Sequence, residues 1–154
     1  MVAMDITDKK ILNLLQHDAR LTTKEIADKT GKTVTPVYER IKRMEQQGYI
    51  KQYVAILDRE KIERNTVAYT NVQLKEHSHS MLKSFEKSIV KFDEVMECHH
   101  MTGLYDYLLK IVVTDMKGYQ QFIVEKLSKL PNIGTVQSSF VMTEIKCELA
   151  YTLK

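Results

Sequence analysis

Two clusters in this chain could do chemistry. The first is Cys98-His99-His100, with His77 and His79 upstream, a set of thiol and imidazole donors suited to a borderline metal. In a strand, however, alternation sends His99 to the face opposite Cys98 and His100. No Cys-x-x-Cys or His-x-x-x-His pair provides ligand spacing either. No metal site is expected. The second cluster is Arg40, Lys42 and Arg43, three cations within four residues, placed just after Thr33-Val34-Thr35-Pro36. On one helix, long basic side chains suit phosphates, while residues near the helix start suit the edges of bases. No paired carboxylates, nucleophile–base arrangement or phosphate loop stands out, so no enzyme activity is expected.

The elements that must hold the basic cluster are legible around it. Ile11, Leu12 and Leu15 recur at helical spacing behind Asp5 and Asp8, predicting a first helix with an acidic first turn. Thr22 and Glu25 form a capping box, with Leu21 and Ile26 in the positions of a hydrophobic staple. That second helix ends by Gly31, which can take the left-handed conformation of a C-terminal cap. A third helix opens at Thr35-Pro36, buries Val37, Ile41 and Met44 at i, i+4, i+7, and closes at Gly48. Two helices joined by so short a glycine turn make a helix-turn-helix. Tyr49–Val54 is expected to follow as a short strand.

Charge agrees with a nucleic-acid face. The net charge is +3, and residues 1–64 hold 13 Lys+Arg against 10 Asp+Glu, whereas residues 65–154 hold ten of each. All the excess positive charge therefore lies with the helix-turn-helix. With 44% hydrophobic and 28% charged residues, the composition is globular, and no apolar run is long enough for a membrane span. Without a secretory signal, Cys98 and Cys147 read as reduced thiols of a cytoplasmic protein with no membrane partner.

After a charge-dense linker at 54–65, the pattern becomes strand–helix–strand–strand–helix–strand. Thr66–Leu74 is rich in β-branched residues, and Ser80–Lys91 puts Leu82, Phe85 and Ile89 on one helical face. Val95–Thr102 and Tyr105–Thr114 flank Gly103-Leu104, a two-residue hairpin turn that sets His100 opposite Tyr107 and Glu97 opposite Lys110. One face then carries Met96, Cys98, His100, Tyr107, Leu109 and Ile111. The other carries Glu97, His99, Met101, Asp106, Leu108, Lys110 and Val112, a mixed set expected to meet another chain. Asp115 caps the next helix, whose stripe is Tyr119, Phe122, Ile123, Leu127 and Leu130, and Pro131 stops it. Ile145, Cys147, Leu149 and Tyr151 alternate with Glu144, Lys146 and Glu148, predicting the last strand there. The fold class is α+β: a winged helix-turn-helix (1–53), then a ferredoxin-like βαββαβ domain (66–154). Domains this small bury little apolar surface, so association with other copies is expected.

The run Thr22 to Ile50, TTKEIADKTGKTVTPVYERIKRMEQQGYI, resembles the helix-turn-helix signature of the Lrp/AsnC (feast/famine) transcription regulators. Arg40-Ile41-Lys42-Arg43-Met44-Glu45 and Gly48-Tyr49-Ile50 stand at its matching places. The resemblance implies DNA-facing roles for Thr33, Thr35, Tyr38, Glu39, Arg40, Lys42 and Arg43. Glu39 departs from the family pattern, which often has a basic or small residue there. Its carboxylate either pairs with Arg43 at i+4 or faces a cytosine amino group.

Thr102-Gly103-Leu104-Tyr105-Asp106 is similar to the family's Gly-x-x-Asp turn. The resemblance implies an amino-acid effector held by Thr102, Gly103, Tyr105, Asp106, Met116, Ser139, Phe140 and Val141. Asp106 would pair with the α-ammonium, and backbone N–H groups beside Gly103 would take the α-carboxylate. The partners it implies are double-stranded DNA, a small amino-acid-like ligand, and further copies as a homodimer assembling to a tetramer-of-dimers octamer, with no cofactor. Two rival readings on the same fold are a sirohaem-decarboxylase-like enzyme and an architectural DNA binder with no effector.

Overall fold

The computed structural model describes residues 4–154. They form two compact units: the residues up to Ile56 together with Lys146–Lys154, and Leu57–Ile145.

The first unit holds α1 (Ile6–His17), α2 (Thr23–Thr30) and α3 (Val34–Gln46). Two of these starts are capping boxes, which satisfy amides that the first turn leaves without partners. Thr22 and Glu25 exchange bonds of 3.3 and 2.7 Å at α2, as the sequence predicts. Asp5 and Asp8 do the same at α1, with bonds of 2.8 and 3.1 Å. Gly31 adopts φ +66° and ends α2. α3 begins at Val34, one residue before the expected Thr35, and Pro36 falls in its first turn, where a missing N–H costs nothing. Val37, Ile41 and Met44 are buried against Ile11, Leu12, Leu15, Ile26 and Ala27, a core drawn from all three helices.

The strand expected at Tyr49–Val54 does not form. Tyr49 and Ile50 donate their amides back to the Met44 carbonyl at 2.9 and 3.3 Å, finishing α3, and residues 51–58 form no regular element and have no ladder partner among the described residues. The strand expected near Ile145–Tyr151 is likewise absent. Residues 146–154 instead belong to the helical unit, where the Gln16 side-chain amide both accepts from the Tyr151 N–H (2.6 Å) and donates to its carbonyl (2.8 Å). Asn13 adds a 3.0 Å bond to the Leu153 carbonyl. Alternating apolar residues make a two-faced segment, but they supply no neighbouring strand.

The second unit is an antiparallel sheet of β1 (Thr66–Leu74), β2 (Val95–His100), β3 (Tyr107–Val113) and β4 (Ile133–Phe140), ordered β2-β3-β1-β4. One face is covered by α4 (His79–Ile89) and by α5 (Met116–Gln121), which continues as a π turn (Phe122–Lys126) and a 3-10 turn (Leu127–Lys129). This is the ferredoxin-like arrangement, with its last strand earlier than expected. Phe85, Ile89, Tyr119, Phe122 and Leu127 pack on Ala68, Val72, Leu74, Tyr107, Leu109 and Ile111. The π turn accommodates the five-residue step from buried Phe122 to buried Leu127, which a regular helix would rotate off one face.

The hairpin register is as expected, with His100 opposite Tyr107 and Glu97 opposite Lys110. A bulge between Val95 and Glu97 then corrects the predicted face: Val95 opposes Ile111 and joins the core, leaving Met96 64% exposed.

A second irregularity explains why β4 is hard to see in the sequence. The β1–β4 register shifts between Val72 and Leu74, and a Cβ on Gly134 would lie 2.8 Å from the Gln73 carbonyl oxygen. Gly134→Ala is expected to push the edge strand away and destabilise this unit by about 1–3 kcal/mol. Urea unfolding followed by circular dichroism checks it, and an unchanged midpoint would show that the strand yields without strain.

Candidate functional site

In a helix-turn-helix the third helix is the DNA-facing element, so the disposition of its charges matters first. Arg40 and Arg43 are only partly exposed to solvent. Both fold back onto Asp8 of α1, whose side chain is only 2% exposed. Arg40 Nη1 donates to Asp8 Oδ1 at 2.8 Å and to Asp5 Oδ2 at 2.6 Å, while Arg43 Nη2 donates to both Asp8 oxygens at 2.7 Å. The Asp8 carboxylate beside Arg40, seconded by Asp5, raises the guanidinium's pKa above its ordinary value. Asp5 is held below the usual carboxylate range by the Asp8 amide first and by Arg40 next. A buried carboxylate needs such partners, because leaving it unpaired costs several kcal/mol, about the stability of a small domain. The sequence reading missed this clamp, although the Asp5-x-x-Asp8 spacing matches a capping box and its aspartates share a helix turn.

With the arginines drawn aside, the exposed surface of α3 carries Thr35, Tyr38, Glu39, Lys42 and Gln46, with Thr33 at its N-cap. Lys42 pairs with Glu45 at 2.8 Å and lies 5.9 Å from the centre of the Tyr38 ring. Glu45 also accepts from the Tyr53 hydroxyl at 3.0 Å. The i+4 pair between Glu39 and Arg43 does not form, since Asp8 takes Arg43. Glu39 makes no side-chain hydrogen bond or ion pair among the described residues.

In the sheet unit, the turn after β2 brings Thr102, Gly103, Tyr105 and Asp106 together. Gly103 has φ +115°, a conformation open to glycine and strained for other residues. The amides of residues 102–105 find no protein acceptor among the described residues. Asp106 is already engaged: it accepts from the Leu74 amide at 2.7 Å and contacts His77 Nε2 at 3.0 Å, tying the turn to the end of β1. The Tyr105 hydroxyl donates to the Gln137 side chain. His77 and Gln137 were not among the residues that sequence reasoning selected for this site, because sheet neighbours far apart in sequence leave no local signal.

Met116, Ser139, Phe140 and Val141 form a separate group. Phe140 opposes Ala68, Thr66 opposes Val113, and the Val141 amide bonds to the Val67 carbonyl at 2.9 Å, so these residues share the end where β3 leads into α5. The Gly103 turn lies at the other end of β3, about 20 Å away along seven strand residues. Phe140 also packs edge-on against Tyr119, 4.8 Å between ring centres. The backbones of the eight residues implied by the resemblance therefore fall at opposite ends of one sheet, although the Tyr105 side chain, bonded to Gln137, reaches to within two strand residues of Ser139.

The Cys98 cluster is accounted for by packing. His100 stacks on Tyr107 at 4.8 Å, His99 contacts Glu97 at 3.2 Å on the opposite face, and burial pushes the Cys98 thiol up to about 11. Among the described residues no three His, Cys, Asp or Glu side chains form a group able to hold a metal ion. No described helix is long and apolar enough to cross a membrane.

Comparison with known proteins gives this geometry its context. Residues 4–51 match a winged helix-turn-helix DNA-binding model, and residues 67–151 match the Lrp/AsnC ligand binding domain. A DNA-binding unit followed by a ligand-binding unit defines the class, a transcription regulator with a small-molecule input. The Bkd operon transcriptional regulator of Pseudomonas aeruginosa is 35% identical over 145 residues, covering 94% of this chain and 95% of that one. The leucine-responsive regulatory protein of Escherichia coli is 34% identical over 143 residues, covering 93% and 87%. A transcriptional regulator of Neisseria meningitidis, solved in complex with L-Met, superposes with a TM-score of 0.92 at 33% identity, covering 97% and 96%. The chain belongs to the Lrp/AsnC family of transcription regulators.

Asp8→Asn should remove the charge that both arginines share and destabilise the helical unit by about 1–3 kcal/mol, because the guanidiniums left behind keep part of their surface in water. Urea unfolding of the full chain measures it; a shift below about 1 kcal/mol would mean that the guanidiniums move into water at little cost.

Proposed function

We propose that this protein is a sequence-specific transcription regulator whose assembly or DNA affinity responds to an amino-acid-like effector bound between copies of the chain. Residues of α3 enter the major groove. Thr33, Thr35, Tyr38, Glu39 and Lys42 form the contacting set, and Arg40 and Arg43 act by fixing α3 against α1 rather than by reaching phosphates. The helical unit serves DNA, and the sheet unit serves effector and assembly. The relatives are named as regulators, which supports a binding role without catalysis or cofactor, exercised in the cytoplasm.

The observation that carries the effector reading is the division of its residues between the two ends of the sheet. A free amino acid cannot join the Gly103 turn of one chain to Met116 and Phe140 of the same chain across about 20 Å of strand. A copy set head to tail against another, however, can join one chain's Gly103 turn to another chain's Met116 and Phe140. The unpaired amides at 102–105 suit an α-carboxylate, and Met116 with Phe140 suits an apolar side chain. Asp106 would take the α-ammonium in competition with His77. The L-Met carried by the Neisseria meningitidis regulator makes methionine the first probe. Tyr69, Met101 and the mixed face around them support dimerisation through sheets, with dimers associating further to an octamer.

Two measurements test this. Lys42→Ala should weaken DNA binding and lower the salt slope by about one, since one phosphate contact is lost. An unchanged slope would remove α3 from the DNA surface. Thr102→Glu and Met116→Glu, both at exposed positions, should each abolish methionine binding by calorimetry. Mixed oligomers of the two should regain about a quarter of the sites, those built from two intact halves. Recovery of none would place the site within one chain or elsewhere.

A further inference from the structure

The outward face of α3 carries an anomaly for a surface that meets a polyanion: an exposed carboxylate near its centre. On a helix, Glu39 lies on the side opposite buried Val37, Ile41 and Met44, flanked by Thr35 and Gln46. Neither cation within reach of it along the helix pairs with it. Arg43, one turn on, is bound to both oxygens of Asp8, and Lys42, at i+3, is bound to Glu45. No other partner reaches it among the described residues. The clamp on α1 therefore leaves Glu39 with both oxygens free to accept.

A bare carboxylate near phosphates is repelled, so a helix that binds DNA with this residue outermost must aim it at a donor. In the major groove the donors are the cytosine N4 and adenine N6 amino groups. Adenine N6 stands beside N7, an acceptor that repels a carboxylate, whereas cytosine shows an amino group with no acceptor on its own major-groove edge. We infer that Glu39 is the specificity-determining residue of α3, accepting from the N4 amino group of one cytosine in each half-site. Asp8 acts in this readout indirectly, by withholding Arg43 and so keeping the Glu39 carboxylate free. The inference rests on the proposed entry of α3 into the major groove.

The test is selection of bound sequences from a randomised duplex pool, using the full-length protein and its Glu39→Gln and Glu39→Ala variants. The expected result is a single position per half-site that prefers cytosine by about ten-fold or more in the unaltered protein. That position should prefer adenine in Glu39→Gln, because a carboxamide can accept from N6 and donate to N7. It should lose its preference in Glu39→Ala, with the other positions unchanged. Identical base profiles in all three proteins overturn the inference, as does a uniform gain in affinity without any change of profile, which would place Glu39 against phosphates. Tyr38→Ala separates the two levels. If it weakens binding while the Glu39 variants leave the profile intact, α3 is the DNA helix and only the base assignment fails. If neither change matters, the α3 reading itself fails.

Discussion

The helical unit depends on one buried carboxylate. Asp8 closes the first turn of α1, and its oxygens then receive two guanidiniums from α3, so a single side chain fixes the start of one helix and the rotation of another. Ion pairs of this kind contribute less to net stability than to uniqueness of arrangement, since desolvation offsets much of their attraction. Here the arrangement matters for DNA. Turning α3 about its axis would carry Thr35, Tyr38, Glu39 and Lys42 away from the outward face while keeping the same apolar core partly filled. The arginines oppose that rotation.

The sheet unit solves a different problem, holding the segments proposed for the effector at the ends of strands. The turn around Gly103 is stiffened by Asp106, which reaches the Leu74 amide and His77, and by Tyr105, which crosses to Gln137. At the far end, Val113 leads into an α5 whose cap is Asp115, bonded to the Gly118 amide at 2.8 Å. Both ends are thus tied to the sheet by side-chain hydrogen bonds, and such pre-organisation lowers the ordering cost of any ligand bound there.

Much of this was legible in the sequence because local rules and global fold agree there. The Thr22–Glu25 capping box, the Gly31 turn and the Val37-Ile41-Met44 stripe each announce themselves within a few residues, and periodicity locates every element of the βαββαβ order except the last strand. The hairpin register followed from two residues, Gly103 and Leu104. What stayed hidden was long-range or irregular. The strand Ile133–Phe140 alternates poorly because Gly134 sits at a register shift and Thr135, Gln137 and Ser139 are polar, whereas residues 144–151 alternate cleanly and form no strand. The bulge at Val95 exchanged Met96 for its neighbour. On α3, residue types identified the cations, but their direction was set by an aspartate 32 and 35 positions away.

The division of the candidate effector residues between opposite ends of the sheet has a consequence for how such a protein would measure its ligand. With each complete site belonging to an interface, ligand uptake and protein–protein contact draw on one shared equilibrium. A diluted preparation would then shed its amino acid at constant free ligand, and an abundant one would retain it. The quantity sensed would be a joint function of metabolite and regulator abundance, so that changing expression of the regulator retunes its threshold with no alteration in any side chain.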